Sequence, residues 1–147
     1  MTTPISPFAT TIVTHLDGVR FDAHIRGHHI TLDQPLGVGG SGGGDHGPTP
    51  LELLGAAIGG CVALYVKQFC QARAIPYEGI RVEVRENKVR NPSRITDFIV
   101  DVRLPAEVSG KNAGLIEQVA RSCPVYNTLA HGAYVRISID SDLAIVA

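Results

Sequence analysis

Residues 48–66 read PTPLELLGAAIGGCVALYV. Thr49-Pro50-Leu51-Glu52 has the form of a capping box, with Thr49 at the N-cap, Pro50 at the first helical position and Glu52 reaching back. From Leu53 to Val66 no charged residue falls on any face, which predicts a helix from about Pro50 to Ala72, buried nearly all round. Cys61 sits mid-helix behind Gly59 and Gly60, each costing roughly 1 kcal/mol in helix propensity. Such a cost is tolerable where another backbone must pass close, or where a substrate must reach the thiol. Helical rotation puts Leu54, Tyr65, Gln68 and Ala72 on the Cys61 face.

On either side of this helix, alternation marks strands. A first strand near Thr10–Leu16 turns at Asp17-Gly18, a good hairpin signal. Val19–Arg26 alternates apolar and polar residues, and a short third strand lies around His29–Leu32. After the helix, Ile80, Val82 and Val84 alternate, as do Phe98, Val100, Val102 and Leu104. Ala113–Ser122 reads as a second helix, Pro124–Ala130 as a short third one ending at Gly132, and Val135, Ile137 and Ile139 as a closing strand. Strands come in runs rather than alternating singly with helices, so the predicted class is α+β, in one domain spanning residues 1–147.

Composition narrows the function. The chain has 147 residues, 44% apolar and 18% charged, with a net charge of −1 and no basic stripe, which argues against a nucleic-acid partner. The N-terminus lacks the pattern of a signal peptide, and the Leu53–Val66 run falls short of the roughly 20 residues that span a bilayer. The expectation is a soluble, cytoplasmic protein without a membrane partner. In a reducing compartment its three cysteines suit chemistry or plain burial better than a structural disulfide framework.

Ahead of the helix, seven glycines fall between Gly37 and Gly47, and G-x-G-x-x-G matches twice, at Gly37–Gly42 and Gly42–Gly47. So glycine-rich a stretch satisfies almost any glycine pattern. A dinucleotide loop should leave a parallel strand tightly and be followed by an acidic residue about 20 positions on. Here Asp33-Gln34-Pro35 breaks the chain early, and position 67 is Lys. Gly47-Pro48-Thr49 is no Walker ending either. The stretch reads as a mobile loop delivering the chain to a helix N-cap.

Cys70, nine residues beyond Cys61, lies half a rotation away and about 13 Å along the axis, and reads as a buried small hydrophobe. Cys123 precedes Pro124 at a helix start, where backbone N–H groups lower a thiol pKa. With no C-x-x-C and no Cys/His cluster at ligand spacing, neither a metal nor a cofactor is expected. His28 and His29 are adjacent in a strand and point to opposite faces. His46 lies in the glycine stretch, and His131 stands two helical turns from Cys123, too far for a Cys–His hydrolase. Spacing alone leaves Cys61 and Cys123 open between chemistry and burial.

PTPLELLGAAIGGCVALYV, followed 62 positions after Cys61 by Cys123 in SCPVYNTL, resembles the OsmC/Ohr family, the osmotically inducible and organic hydroperoxide resistance proteins. The likeness spans nearly the whole chain. It implies antiparallel sheets around a long cysteine-bearing helix, in an intertwined homodimer with two active sites at the subunit interface. It further implies a thiol peroxidase for organic hydroperoxides, with Cys61 attacking and Cys123 resolving, and a lipoyl group or small thiol as reductant. The family pairs an arginine near the first hairpin with a glutamate ahead of the cysteine helix. Arg20 is the nearest match to that arginine, with Arg26 a contender.

At the glutamate the chain departs from the family pattern. The family residue stands ten positions before the cysteine, where this chain has Leu51. Glu52, at nine, is the candidate, and the capping box already accounts for it. Two further readings therefore stand beside the peroxidase: an OsmC-like redox-sensitive binding protein for a small ligand, and a thiol enzyme acting on an acyl or persulfide donor. The helix start nominates Cys123 as the more acidic thiol and the resemblance nominates Cys61. A close arginine outweighs a helix end worth about 0.3–1 kcal/mol, so Cys61 is the expected nucleophile.

Overall fold

Asp17-Gly18 turns the chain where the alternation breaks, with Gly18 at φ 50°, and the strands on either side pair antiparallel. The structure, a computed structural model, describes residues 10–37, 43–105, 107–108 and 110–139. β1 (Thr11–Asp17), β2 (Arg20–Ile25) and β3 (His28–Leu32) form one sheet in that order. The predicted second strand loses Val19 and Arg26 to turns. Arg26 and Gly27 take φ 50° and 89°, and the Gly27 N–H donates to His24 Nε2 at 3.1 Å. Arg26 is therefore an exposed turn residue and not a member of the Arg20 strand.

One irregularity shapes the first hairpin. His15 pairs with Phe21, but the next pair is Asp17 with Arg20, so Leu16 is a bulge residue. A regular ladder would have set Leu16 opposite Arg20 and turned Asp17 to the other face.

Beyond β3 the chain is held by Asp33, which is 2% exposed. Its carboxylate accepts from the backbone N–H groups of Gln34 (2.7 Å), Gly44 (3.1 Å) and His46 (3.0 Å) and bonds His46 Nδ1 at 3.0 Å. Backbone bonds from Asp45 to Gln34 (3.1 Å) and from Asp33 to Pro48 (3.3 Å) draw the returning strand of the loop alongside. The expected mobile loop is thus a pinned segment over 43–48, while 38–42 lie outside the described residues. The glycines answer to packing. A Cβ on Gly43 would lie 2.6 Å from the Gln34 carbonyl carbon, and one on Gly47 would lie 2.8 Å from that of Thr31.

This clamp has a pH signature. The backbone donors, those of His46 and Gln34 foremost, hold the Asp33 carboxyl at about 2, below its ordinary 3.8. A carboxyl lowered in the folded state contributes stability above its unfolded pKa and loses it as pH falls through the folded value. The Asp33 contribution is expected to be complete above about pH 4 and to vanish toward pH 2. Carboxyl-carbon NMR of Asp33 on acidification checks this by the midpoint of its titration.

α1 runs over Pro50–Ala72. Its capping box is made as read: Thr49 N–H and Oγ1 donate to Glu52 Oε2 (2.7 and 2.9 Å), and Glu52 N–H donates to Thr49 Oγ1 (3.3 Å). It ends in a Schellman motif, with Ile75 N–H on the Cys70 carbonyl (2.9 Å) and Ala74 at φ 53°. By length and composition alone this 23-residue helix could cross a membrane, so the short apolar run did not measure its reach. Ile58, Val62, Val66 and Cys70 are buried at four-residue spacing, the stripe of a core helix. Burial is confined to that stripe and to Gly55 and Gly59, and Leu51, Leu54 and Leu64 are exposed.

β4 (Arg81–Arg90) and β5 (Ser93–Arg103) form a two-stranded sheet joined at Asn91-Pro92. α2 (Lys111–Arg121) begins two residues ahead of the predicted start, and α3 spans Pro124–His131. The described residues fall into two compact units, one from within Met1–Ala57 and Val84–Val100, the other from within Ile58–Glu83 and Asp101–Ala147. The predicted closing strand does not form. Residues 132–139 pair with nothing described, and Val135, Ile137 and Ile139 are 75%, 81% and 90% exposed. A strand needs a neighbouring ladder, and alternation alone cannot supply one.

Candidate functional site around Cys61 and Cys123

Proline at 124 bars Cys123 from helical geometry, and Cys123 adopts φ −67°, ψ 143° as the N-cap of α3. The extended cap aims its sulfur at the helix start, where the Tyr126 N–H donates to Sγ at 3.3 Å. Cys123 is fully buried, whereas Cys61 is partly exposed. Cys61 lies close enough to Cys123 to raise its thiol.

Burial pushes the Cys123 thiol up, the Tyr126 and Val125 N–H groups pull it down, and the charge of Cys61 raises it further. Burial outweighs the helix start, so the inference that the cap makes Cys123 the acidic thiol does not hold. The arrangement has a direction: the Cys123 thiol is held up by burial, and Cys61 is the sulfur that solvent reaches. Cys70 is fully buried and pushed up by burial alone, as expected of a core residue.

Sequence reasoning missed a brace on this turn. Arg121 binds Glu117 Oε1 through Nε and Nη2 (3.2 and 2.9 Å) and donates from Nη1 to the Tyr126 hydroxyl at 3.3 Å. It thereby ties the end of α2 to the residue whose N–H is capped by Cys123. The i, i+4 spacing of Glu117 and Arg121 was readable, but the link across Cys123-Pro124 depends on the break angle. His131 bonds the Asn127 carbonyl of its own helix at 2.9 Å.

Arg20 forms an ion pair with Asp17, and its Nε is buried without a hydrogen-bond partner. Glu52 is spent on Thr49, whose N–H and hydroxyl hold its carboxyl below the usual range. Arg20 and Glu52 thus each have another partner. His29 bonds Asp22 at 2.9 Å and stacks on His24. Among the described residues no group of three or more His, Cys, Asp or Glu is placed to hold a metal.

Solved structures share this fold at low identity. An OsmC-like protein from Mycoplasma pneumoniae superposes with a TM-score of 0.71 at 18% identity, over 86% of this chain and 89% of its own. An osmotic stress induced and detoxification response protein from Psychrobacter arcticus gives 0.74 at 21%, over 84% and 90%. An organic hydroperoxide resistance protein OsmC from Legionella pneumophila, also described as a redox protein, gives 0.59 at 16%, over 84% and 91%. No protein of curated function matches the sequence. The model of the OsmC-like protein family matches residues 42–138, a span that holds both Cys61 and Cys123 and leaves Arg20 outside. This membership supports a redox-related role. The chain belongs to the OsmC-like protein family.

Proposed function

We propose that the protein is a two-cysteine peroxidase that reduces organic hydroperoxides. The carrying observation is the pairing of a buried Cys123 thiol with a partly exposed Cys61 that lies close enough to raise it. The Cys61 thiolate attacks the distal peroxide oxygen, the O–O bond breaks, and the departing alkoxide takes a proton to leave as the alcohol. Cys61 becomes a sulfenic acid. The Cys123 sulfur then displaces that hydroxyl, which leaves as water, and a Cys61–Cys123 disulfide forms. An external dithiol, a lipoyl group or small thiol, restores both thiols by exchange.

The family resemblance assigns Arg20 as the cation serving the thiolate, and its unpartnered buried Nε leaves a donor for an anion. Glu52 is the helix cap in this reading. The working unit is a homodimer of this chain: β1 is exposed throughout, α1 leaves Leu51, Leu54 and Leu64 uncovered, and residues 132–139 offer an unpaired apolar segment. The cycle belongs in the cytoplasm, where dithiol reductants are available.

Stopped-flow oxidation of the reduced protein by cumene hydroperoxide and by hydrogen peroxide, followed by thiol mapping, tests the proposal. Faster reaction with the organic peroxide, ending in a Cys61–Cys123 disulfide, supports it. Slow reaction with both moves the assignment to a small-ligand-binding protein or to a thiol enzyme for another donor.

A further inference from the structure

Only Ser122 and Cys123 separate α2 from α3, so the direction of the Cys123 sulfur depends on how the two helices meet. Among the described residues, two side-chain hydrogen bonds span the break. Asn127 Nδ2 donates to the Ser122 carbonyl at 3.2 Å, and Arg121 Nη1 donates to the Tyr126 hydroxyl at 3.3 Å. The guanidinium is itself held on α2, because Nε and Nη2 both donate to Glu117 Oε1. At the other end of these contacts the Tyr126 backbone N–H donates to Cys123 Sγ at 3.3 Å. We infer that Arg121 is a positioning residue for Cys123, acting through Tyr126 to aim the buried thiol for closure onto Cys61. The inference rests on the proposed Cys61–Cys123 disulfide, and not on the peroxide that starts the cycle.

A disulfide closes only when one sulfur meets the other within a narrow range of distance and torsion. Holding the attacking sulfur near that geometry raises the closure rate without changing the chemistry of either thiol. Stability gives no comparable reason for the brace. Arg121 and Glu117 are 61% and 67% exposed, and an exposed pair of this kind contributes little to folding. Removing it should leave the melting temperature in place while the closing step slows. That split separates positioning from a merely structural role.

The test uses the full-length reduced protein and the aryl disulfide DTNB, which reads closure without peroxide. The Cys61 thiolate attacks one reagent sulfur, the reagent S–S bond breaks, and a first thionitrobenzoate leaves with the electron pair. The Cys123 thiol gives its proton to solvent and its sulfur attacks the Cys61 sulfur. A second thionitrobenzoate leaves as the Cys61–Cys123 disulfide forms. In Arg121→Gln and in Tyr126→Phe the second release is expected to slow about fivefold, with the first release and Tm unchanged. The double variant should match either single variant, because the two side chains make one contact. An unchanged second release in either variant overturns the inference, as does equal slowing of both releases with a lowered Tm. A wild-type protein with no second release overturns it together with the proposed disulfide. Fast wild-type closure beside slow oxidation by cumene hydroperoxide removes the peroxidase reading, while slowed closure in the variants still supports the role of Arg121.

Discussion

Cys61→Ser is expected to abolish hydroperoxide reduction, lowering the single-turnover rate by at least about a thousandfold. A serine hydroxyl at this position is neither ionised near neutral pH nor comparably nucleophilic. Cys123 cannot substitute, because it is fully buried and burial holds its proton. Cys123→Ser should behave differently. It should react once with peroxide at close to the wild-type rate, accumulate sulfenic acid at Cys61, and then turn over slowly with a dithiol. Rapid-quench rates with dimedone trapping of each variant check the pair. Sulfenic acid at Cys123 in Cys61→Ser, formed at the wild-type rate, would reverse the two roles.

Gly47→Ala is the substitution from which the largest loss of stability is expected. A Cβ there meets the backbone carbonyl of Thr31 in β3, and that carbonyl cannot swing aside as a side chain could. The segment also carries the His46 donors that satisfy Asp33, so displacing it strips a buried carboxylate of hydrogen bonds. Overpacking of this kind costs about 2 kcal/mol. For a chain of this size that corresponds to a fall of about 4–8 °C in Tm, measurable by calorimetry. An unchanged Tm would show that the loop end moves freely away from β3.

These two residues also mark what could be read from the chain. The capping box at Thr49–Glu52, the hairpin at Asp17-Gly18 and the break at Cys123-Pro124 depend on contacts within a few residues, so spacing sufficed. The same holds for α1 as a whole, because its apolar run and its cap both lie within the helix. Asp33 was not legible, since beyond adjacent Gln34 its donors stand 11 and 13 residues away and nothing local distinguishes it from a turn aspartate. The bulge at Leu16 was hidden for a different reason: alternation shows that a strand exists but not where its ladder slips. The Asp17–Arg20 pair depends on that slip, so Arg20 was nominated and its partner was not. Acidity at Cys123 was misread because a helix start is visible in sequence, whereas the burial that outweighs it is not.

The segment 132–139 has a consequence for the life of the chain in a cell. A freshly synthesised copy carries this stretch with Val135, Ile137 and Ile139 in water, paired with no described residue. In the proposed homodimer a second copy would cover it; left uncovered, such a ribbon is a substrate for chaperones and proteases and a seed for misassociation. Encounter between copies follows mass action, so scarce expression would leave a larger share of the protein in that vulnerable form than abundant expression. The abundance of active protein would then rise more steeply than its rate of synthesis.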